Sequence, residues 1–377
     1  MESMAGVRVC LPQPLETFAF QIFRALGAED DVAVEAARHL VRANLSGHDS
    51  HGVLRLPQYA AQTDSKEMVP SARPRMLAES AVTAVVDARR SVGLFSTKFA
   101  VEWALDRAAS HGVAIAAIRH STHIGRLGEY TEQAAEKGFV TILTVGAAGP
   151  GVGGMALFGS RQRFFGANPW SIGIPAGPDG PVVFDGSTST IAEGKVRVAR
   201  AKGDRLPPDS ILDAAGAPST NPEDFYAGGA LLPLGGRAAG HKGYGLALAS
   251  ALLGGLSMMS DRDPTLIGAS LQEQVKDSRG RIAGVFLVAI EPRWLGDVDD
   301  YRSRVTETVA AIKRTPPATG VSEILVPGEP ERRMRDQRNR EGIPIPEATW
   351  QDLARLADRF QLKMPPGFFT TPAQTVM

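Results

Sequence analysis

The sequence predicts an α/β fold, and three observations carry the prediction. Between 81 and 146, strand-like and helix-like segments alternate: AVTAVVDA (81–88) reads as a strand, 93–110 as a helix, VAIAAIR (113–119) as a strand, 127–137 as a helix and FVTILTV (139–145) as a strand. These strands are continuously apolar, which suits a sheet covered by helices on its faces. A chain of 377 residues with 43% apolar content is long enough for one large or two ordinary domains and can build a real core.

Taken in order, 13–46 carries helical periodicity in two pieces broken at Gly27. Phe18, Phe20, Ile22, Phe23 and Leu26 supply the first apolar side, and Val32, Ala36, His39, Leu40 and Ala43 the second. His39, set among apolar residues, reads as a structural histidine rather than a ligand. A polar linker covers 62–74. From 147 to 240 the chain is glycine-rich and looped, with short strands at 170–174 and 182–184 and a helix at about 191–202. A buried helix at 243–259, a strand at 284–290 and a helix at 299–314 follow. A proline-rich loop spans 315–330, two polar helices at about 330–341 and 347–361 finish the fold, and the tail after Pro365 reads as loose.

Lysine and arginine number 41 against 41 aspartates and glutamates, so no net field favours nucleic acid or an anionic membrane. One cysteine, Cys10, excludes a disulfide framework and fits a reducing compartment. The N-terminus has no basic start followed by an apolar run, and the longest apolar run, 244–259, is too short and too rich in Gly and Ser to span a membrane. The expectation is a soluble cytoplasmic protein.

The densest chemistry lies in NLSGHDSHGVLRLPQY (44–59). His51, Arg55 and Tyr59 are spaced i, i+4, i+8 and share one face if the segment is helical. Asp49 or Ser50 can cap such a helix, and Pro57 argues that it is short or kinked near its end. Such a face suits a small carboxylate: histidine moves a proton, arginine clamps the acid with two hydrogen bonds, tyrosine completes the wall. The same spacing also describes a solvated helix face with a capping aspartate.

Other motifs carry two readings each. GPGVGG (149–154) fits G-x-G-x-x-G after a strand, but MALFGSRQRFFG follows where a dinucleotide fingerprint needs a helix, and the next acid is Asp179. It is rejected as an ordinary Rossmann loop. His48/His51 and His120/His123 are HxxH pairs that could share a metal on helices, yet neither holds the Glu of a zinc hydrolase; no metal is expected. His123 follows a strand at its C-terminal end, where α/β sheets place ligands, or is a turn histidine. Asn168 could aim its amide at a substrate carbonyl or start a turn. FDGSTST (184–190) lets backbone approach a ligand and can cap the helix carrying Lys195. His241 and Lys242 open the most apolar helix, an anion site or a lysine at a buried helix end.

SGHDSHGVLRLPQY, STHIGRLGEYTEQA, FGANPW, VVFDGSTSTIAEGK, GGRAAGHKGYGLALA and LVPGEPERR…REGIP, in this order, resemble the malate/L-lactate dehydrogenase family of the non-Rossmann kind, over about 13–362. The resemblance implies a non-Rossmann α/β domain that binds NAD or NADP, an additional helical substrate region as in L-sulfolactate dehydrogenase, and an intertwined homodimer. The regions expected are 1–75, helical, with the catalytic histidine and packed with 315–377; 76–314, the central cofactor-binding domain; and 315–377, the C-terminal helices. By resemblance, Ser50 and His51 match the serine–histidine pair that moves the substrate proton, Arg55 the carboxylate-binding arginine and Tyr59 a pocket residue. His123, Ile124 and Gly125 match the HFG-like motif, and members differ on which histidine is the acid/base. Asp185, Gly186, Ser187, His241, Lys242, Pro327, Gly328 and Glu329 match cofactor-binding segments.

Some positions depart from the family. Ala167 replaces the threonine of G-T-N-P, Ile124 replaces an aromatic, and Trp170 and Gly186 are unusual. Lys195 stands where the imine-reducing branch tends to carry an aspartate, and its charge fits a 2-hydroxy/2-oxo acid. The expected activity is hydride transfer between a nicotinamide and C2 of a small carboxylic acid. His51, held by Ser50, handles the proton, with His123 as rival or partner. The alternatives are a cyclic ketimine (piperideine-/pyrroline-2-carboxylate) reductase, a metal-dependent hydrolase using the HxxH pairs, and a non-catalytic binding protein.

Overall fold

The computed structural model describes residues 7–262 and 282–369. The N-terminal periodicity becomes two helices, Pro12–Ala25 and Asp30–Leu45. They part at Gly27, whose φ of 95° lies where a side chain is strained. Leu15, Phe18, Ile22 and Phe23 of the first and Val32, Ala36 and Leu40 of the second share one core with Ile343, Trp350 and Leu353. Above it, Val7–Cys10 is the middle strand of a three-stranded antiparallel sheet, between Ile343–Pro346 and Gly367–Phe369. The tail after Pro365 is therefore paired as far as Phe369 rather than loose, because the first strand offers it an open edge; the rest of the tail lies outside the described residues.

The remaining strands form a mixed 12-stranded sheet. Thr83–Asp87 and Val113–Arg119 pair in parallel, as expected for strands joined by the Gly93–His111 helix. Val113–Arg119 and Val140–Ala148 are not neighbours. Ile282–Ile290 enters between them, antiparallel to both, in register from Ile282 opposite Ala148 to Ile290 opposite Val140. Its sequence, IAGVFLVAI, is apolar throughout, which fits a central position covered on both faces.

Two helices cover opposite faces of Val140–Ala148. A side chain at Gly146 would strike the Ala251 backbone of the Gly236–Gly254 helix, and one at Gly173, paired with Thr141, would strike Thr131 of the Leu127–Glu136 helix. Positions 141 and 146 differ by an odd number, so they point to opposite faces. The apolar helix begins at Gly236, not 243, and is broken at Ala239 (φ −133°, ψ 15°); 255–262 continues as a 3-10 turn. The GPGVGG run leads into the strand Met155–Ala156, not into a helix. Among the described residues no helix is long and apolar enough to cross a membrane.

Candidate active site

Residues 44–59 are not one helix. Asp49–His51 and Val53–Arg55 are single 3-10 turns, split by Gly52 in extended conformation, and an α-helix starts only at Leu56–Asp64. Pro57 sits in the first turn of that helix, where its missing N–H costs nothing, so it opens the helix rather than closing one. The break is held by side chains. Asn44, 2% exposed, accepts from the Val53 N–H (2.9 Å) and donates to Asp49 (2.6 Å). Asp49 also receives Arg338 Nη1 (2.7 Å) and Nη2 (3.0 Å) from the Glu329–Glu341 helix. Neither Asp49 nor Ser50 caps a helix here; the carboxylate is used against arginine.

This clamp delivers His51 and Arg55 to a cleft of about 590 Å³, within the usual ligand-pocket range of about 300–1,000 Å³. Opposite stands the 119–125 segment with His123. The two imidazoles stack, ring centroids 5.5 Å apart and planes 20° from parallel. Ser50 Oγ lies 3.0 Å from His51 Nδ1, and Tyr59 Oη 2.9 Å from His123 Nδ1. A hydroxyl thus fixes one nitrogen of each ring and leaves Nε2 for chemistry. Burial and the nearby Arg55 charge lower His51 to about 4; burial, His51 and Arg55 lower His123 to about 3. Both rings are therefore neutral at pH 7 and accept protons. Arg55 Nε donates to Ser50 O (2.7 Å) and Nη1 to Gln58 (2.6 Å), so a carboxylate clamp must use the end-on pair of Nη hydrogens.

Tyr59 stands elsewhere than expected. It is fully buried beneath His123, outside the cleft wall, and burial raises its pKa, so it holds the imidazole as a neutral hydroxyl. Asn168 borders the cleft, and its amide is engaged on both sides: Oδ1 accepts from Ala147 N (3.0 Å) and Nδ2 donates to Ala247 O (2.8 Å). With φ of 40° it is a turn residue whose amide ties strand to helix at the cleft wall. Ile124 and Gly125 line the cleft with Ala147 and Ala167. Trp170 donates to Leu246 O (3.1 Å).

Lys195 is exposed on the Glu193–Lys202 helix, which starts against Ser50: a side chain at Gly194 would come 3.5 Å from Ser50 Cβ. His241 and Lys242 are exposed just past the break at Ala239. Asp185 accepts from the Gly128 N–H (2.7 Å) and lies 3.6 Å from Arg126 Nε, so it anchors the turn after His123. Gly186 and Ser187 follow it, with Ser187 Oγ 3.1 Å from Ser189 Oγ. Pro327, Gly328 and Glu329 lie beside the same strand: Pro327 O accepts from Val183 N (3.1 Å), and Glu329 receives Lys313 (2.9 Å). Glu329 borders a second cavity, of about 370 Å³.

Sequence reasoning missed the frame behind the histidines. His39, buried as expected, accepts from the Arg126 N–H (3.1 Å). Arg126, 2% exposed, lies 3.5 Å from Glu132, which also meets Arg335 (2.5 Å). The signal was present, since Arg126 directly follows the HIG segment, but its carboxylates come from distant segments. The HxxH pairs are divided: His48 pairs with Glu331 and His120 with Asp87, each at 3.1 Å, while His51 and His123 face one another. Among the described residues no three His, Cys, Asp or Glu side chains gather as metal ligands.

The malate/L-lactate dehydrogenase family model matches residues 12–354. Hydroxycarboxylate dehydrogenase B of Escherichia coli is 34% identical over 358 residues, 94% of this chain and 94% of the relative. The structure of sulfolactate dehydrogenase from Methanocaldococcus jannaschii is similar with a TM-score of 0.81 at 29% identity, covering 94% of this chain and 98% of that one. That of Δ1-piperideine-2-carboxylate reductase from Pseudomonas syringae gives 0.76 at 29% identity, covering 93% and 99%.

Proposed function

The chain belongs to the malate/L-lactate dehydrogenase family, and on that premise we infer that the cleft between His51 and His123 is its active site. The protein is an oxidoreductase, a hydroxyacid dehydrogenase that uses a nicotinamide cofactor. When bound, the nicotinamide gives or takes a hydride at C2 of a small 2-oxo or 2-hydroxy acid. The donor set fits such a ring: Ile124, Gly125, Val145, Ala147 and Ala167 offer an apolar wall beside two neutral imidazoles. Asp185, Gly186, Ser187, His241, Lys242 and the Pro327–Gly328–Glu329 turn are assigned to the rest of NAD or NADP.

Arg55 binds the carboxylate end-on. His51 is the acid/base: its partner Ser50 is half-buried and gives a proton route toward solvent, whereas His123 rests on the fully buried Tyr59. His123 hydrogen-bonds the C2 oxygen. In oxidation the neutral His51 takes the hydroxyl proton; in reduction it returns that proton to the carbonyl oxygen. The bound carboxylate offsets the Arg55 charge that disfavours the imidazolium. Lys195 adds positive charge at the rim, and a homodimer would cover Leu246, Leu252 and Leu256, which are exposed in the single chain.

The observation that carries this reading is the stacked imidazole pair, each Nδ1 held by a hydroxyl, in one cleft with Arg55. The test is titration with NADH and NADPH by nicotinamide fluorescence, followed by turnover of a panel of 2-oxo acids and cyclic imines. Turnover of an acid with one cofactor supports it. Turnover of imines alone would transfer the chain to the ketimine-reducing branch, and binding of neither cofactor would refute the reading.

A further inference from the structure

The cleft has a second polar wall that the proton and hydride chemistry does not use. Arg119, His120, Ser121 and Thr122 line it. The two hydroxyls are engaged at home: Ser121 Oγ donates to Thr122 O (3.1 Å), and Thr122 Oγ1 donates to Ser91 O while accepting from Gly93 N, each at 2.8 Å. His120 is different. It has a left-handed backbone, φ 51°, which a residue with a side chain adopts only when its surroundings hold it there. Its imidazole is 20% exposed, while Asp87 behind it is 7% exposed and lies 3.1 Å from Nδ1.

Asp87 can only accept, so Nδ1 carries the proton and Nε2 is the nitrogen left over. Burial opposes the Asp87 charge, but hydrogen bonds from His120 and from the Arg89 N–H (2.9 Å) bring it below the usual carboxylate range. Arg119 stands 3.8 Å from the same carboxylate. The parallel register builds this group, setting Asp87 opposite Arg119 at the ends of neighbouring strands. An anion at Nε2 would set the ring between two acid groups, Asp87 at Nδ1 and the ligand at Nε2.

We propose that His120, backed by Asp87, is a second anionic anchor of the cleft and receives the distal acid group of a 2-oxo or 2-hydroxy diacid. This rests on the assignment of the cleft as the active site, in which Arg55 takes only the acid group next to C2. The anchor predicts preference for diacids over monoacids of equal length.

The test compares oxaloacetate with 2-oxobutyrate in the wild type, His120→Asn and Asp87→Asn, with NADH binding measured by fluorescence. Asparagine tolerates the left-handed backbone, so the turn is kept. The expected result is a fall in kcat/KM for oxaloacetate of about tenfold to a hundredfold, as for a hydrogen bond to a charged group. For 2-oxobutyrate the change stays within about twofold, and NADH binding is unaltered. Equal losses on both acids, weaker NADH binding alone, or no change would each overturn the proposal; the second would mean that a cofactor phosphate occupies the anchor. If the wild type turns over neither acid, calorimetry with succinate and butyrate still reads the anchor, separately from the wider panel that tests the functional reading. Succinate binding lost in His120→Asn supports it; equal binding by both proteins overturns it.

Discussion

His51 and His123 stack 5.5 Å apart, yet each takes its hydroxyl partner from the same short segment, Ser50 for one and Tyr59 for the other. Residues 50–59 thus build half of the site and orient the other half. The burial of both rings and the charge of Arg55 disfavour an imidazolium at either, so the pair works with one proton at most.

Replacing His51 by alanine tests its assignment as the proton carrier. Turnover should fall by roughly two to four orders of magnitude, the usual worth of general acid–base help, with NADH binding retained. Turnover near the wild-type level would hand the role to His123.

Tyr59→Phe isolates the support of His123. Because Tyr59 lies outside the cleft wall, kcat should drop by up to about tenfold, as for one net hydrogen bond, while KM for the acid stays the same. A large rise in KM with kcat unchanged would return Tyr59 to the substrate pocket.

The two histidines also link stability to acid. Their folded pKa values, about 4 and about 3, lie below the unfolded value of about 6.5, so the unfolded chain binds more protons below that pH. Their neutral burial therefore contributes fully above about pH 6.5 and is lost as the pH falls toward 4 and 3. Each adds a slope of about 1.4 kcal/mol per pH unit in that window. Urea midpoints from pH 7 to pH 5 should fall less steeply in a His51→Gln/His123→Gln variant; parallel curves would contradict the depressed pKa values.

Asn168→Ala should act on stability. It strands the Ala147 N–H, removes the extra donor on the helical Ala247 carbonyl and leaves alanine at φ 40°, a loss of about 2–4 kcal/mol in denaturant unfolding. An unchanged midpoint with a raised KM would restore the amide to the substrate.

The legible parts of the fold follow from local rules. Gly27 splits two helices, and apolar runs mark the strands at 113–119, 140–148 and 282–290. What local rules cannot supply is placement. Ile282–Ile290 reads as a strand, but nothing in its residues says that it sits between Val113–Arg119 and Val140–Ala148. The site divides the same way. His51, Arg55 and His123 are readable from residue type and meet in one cleft. The helix that would align His51, Arg55 and Tyr59 fails because Asn44, from the preceding helix, takes the Val53 N–H. Asp185 and Asn168 look free in sequence; packing gives both of them backbone partners. His120 gains its carboxylate only through the pairing of two strands.

Val7–Cys10 is held between Ile343–Pro346 and Gly367–Phe369, and the core beneath it mixes Phe18 and Leu40 with Trp350 and Leu353. A growing polypeptide leaves the ribosome with Val7–Cys10 and His51 exposed long before their partners are translated. The central sheet can assemble earlier, but the layer that seats His51 closes only when the last helices emerge. The N-terminal layer around His51 thus stays open until residues 343–357 have been made, and its apolar faces are exposed for that whole interval.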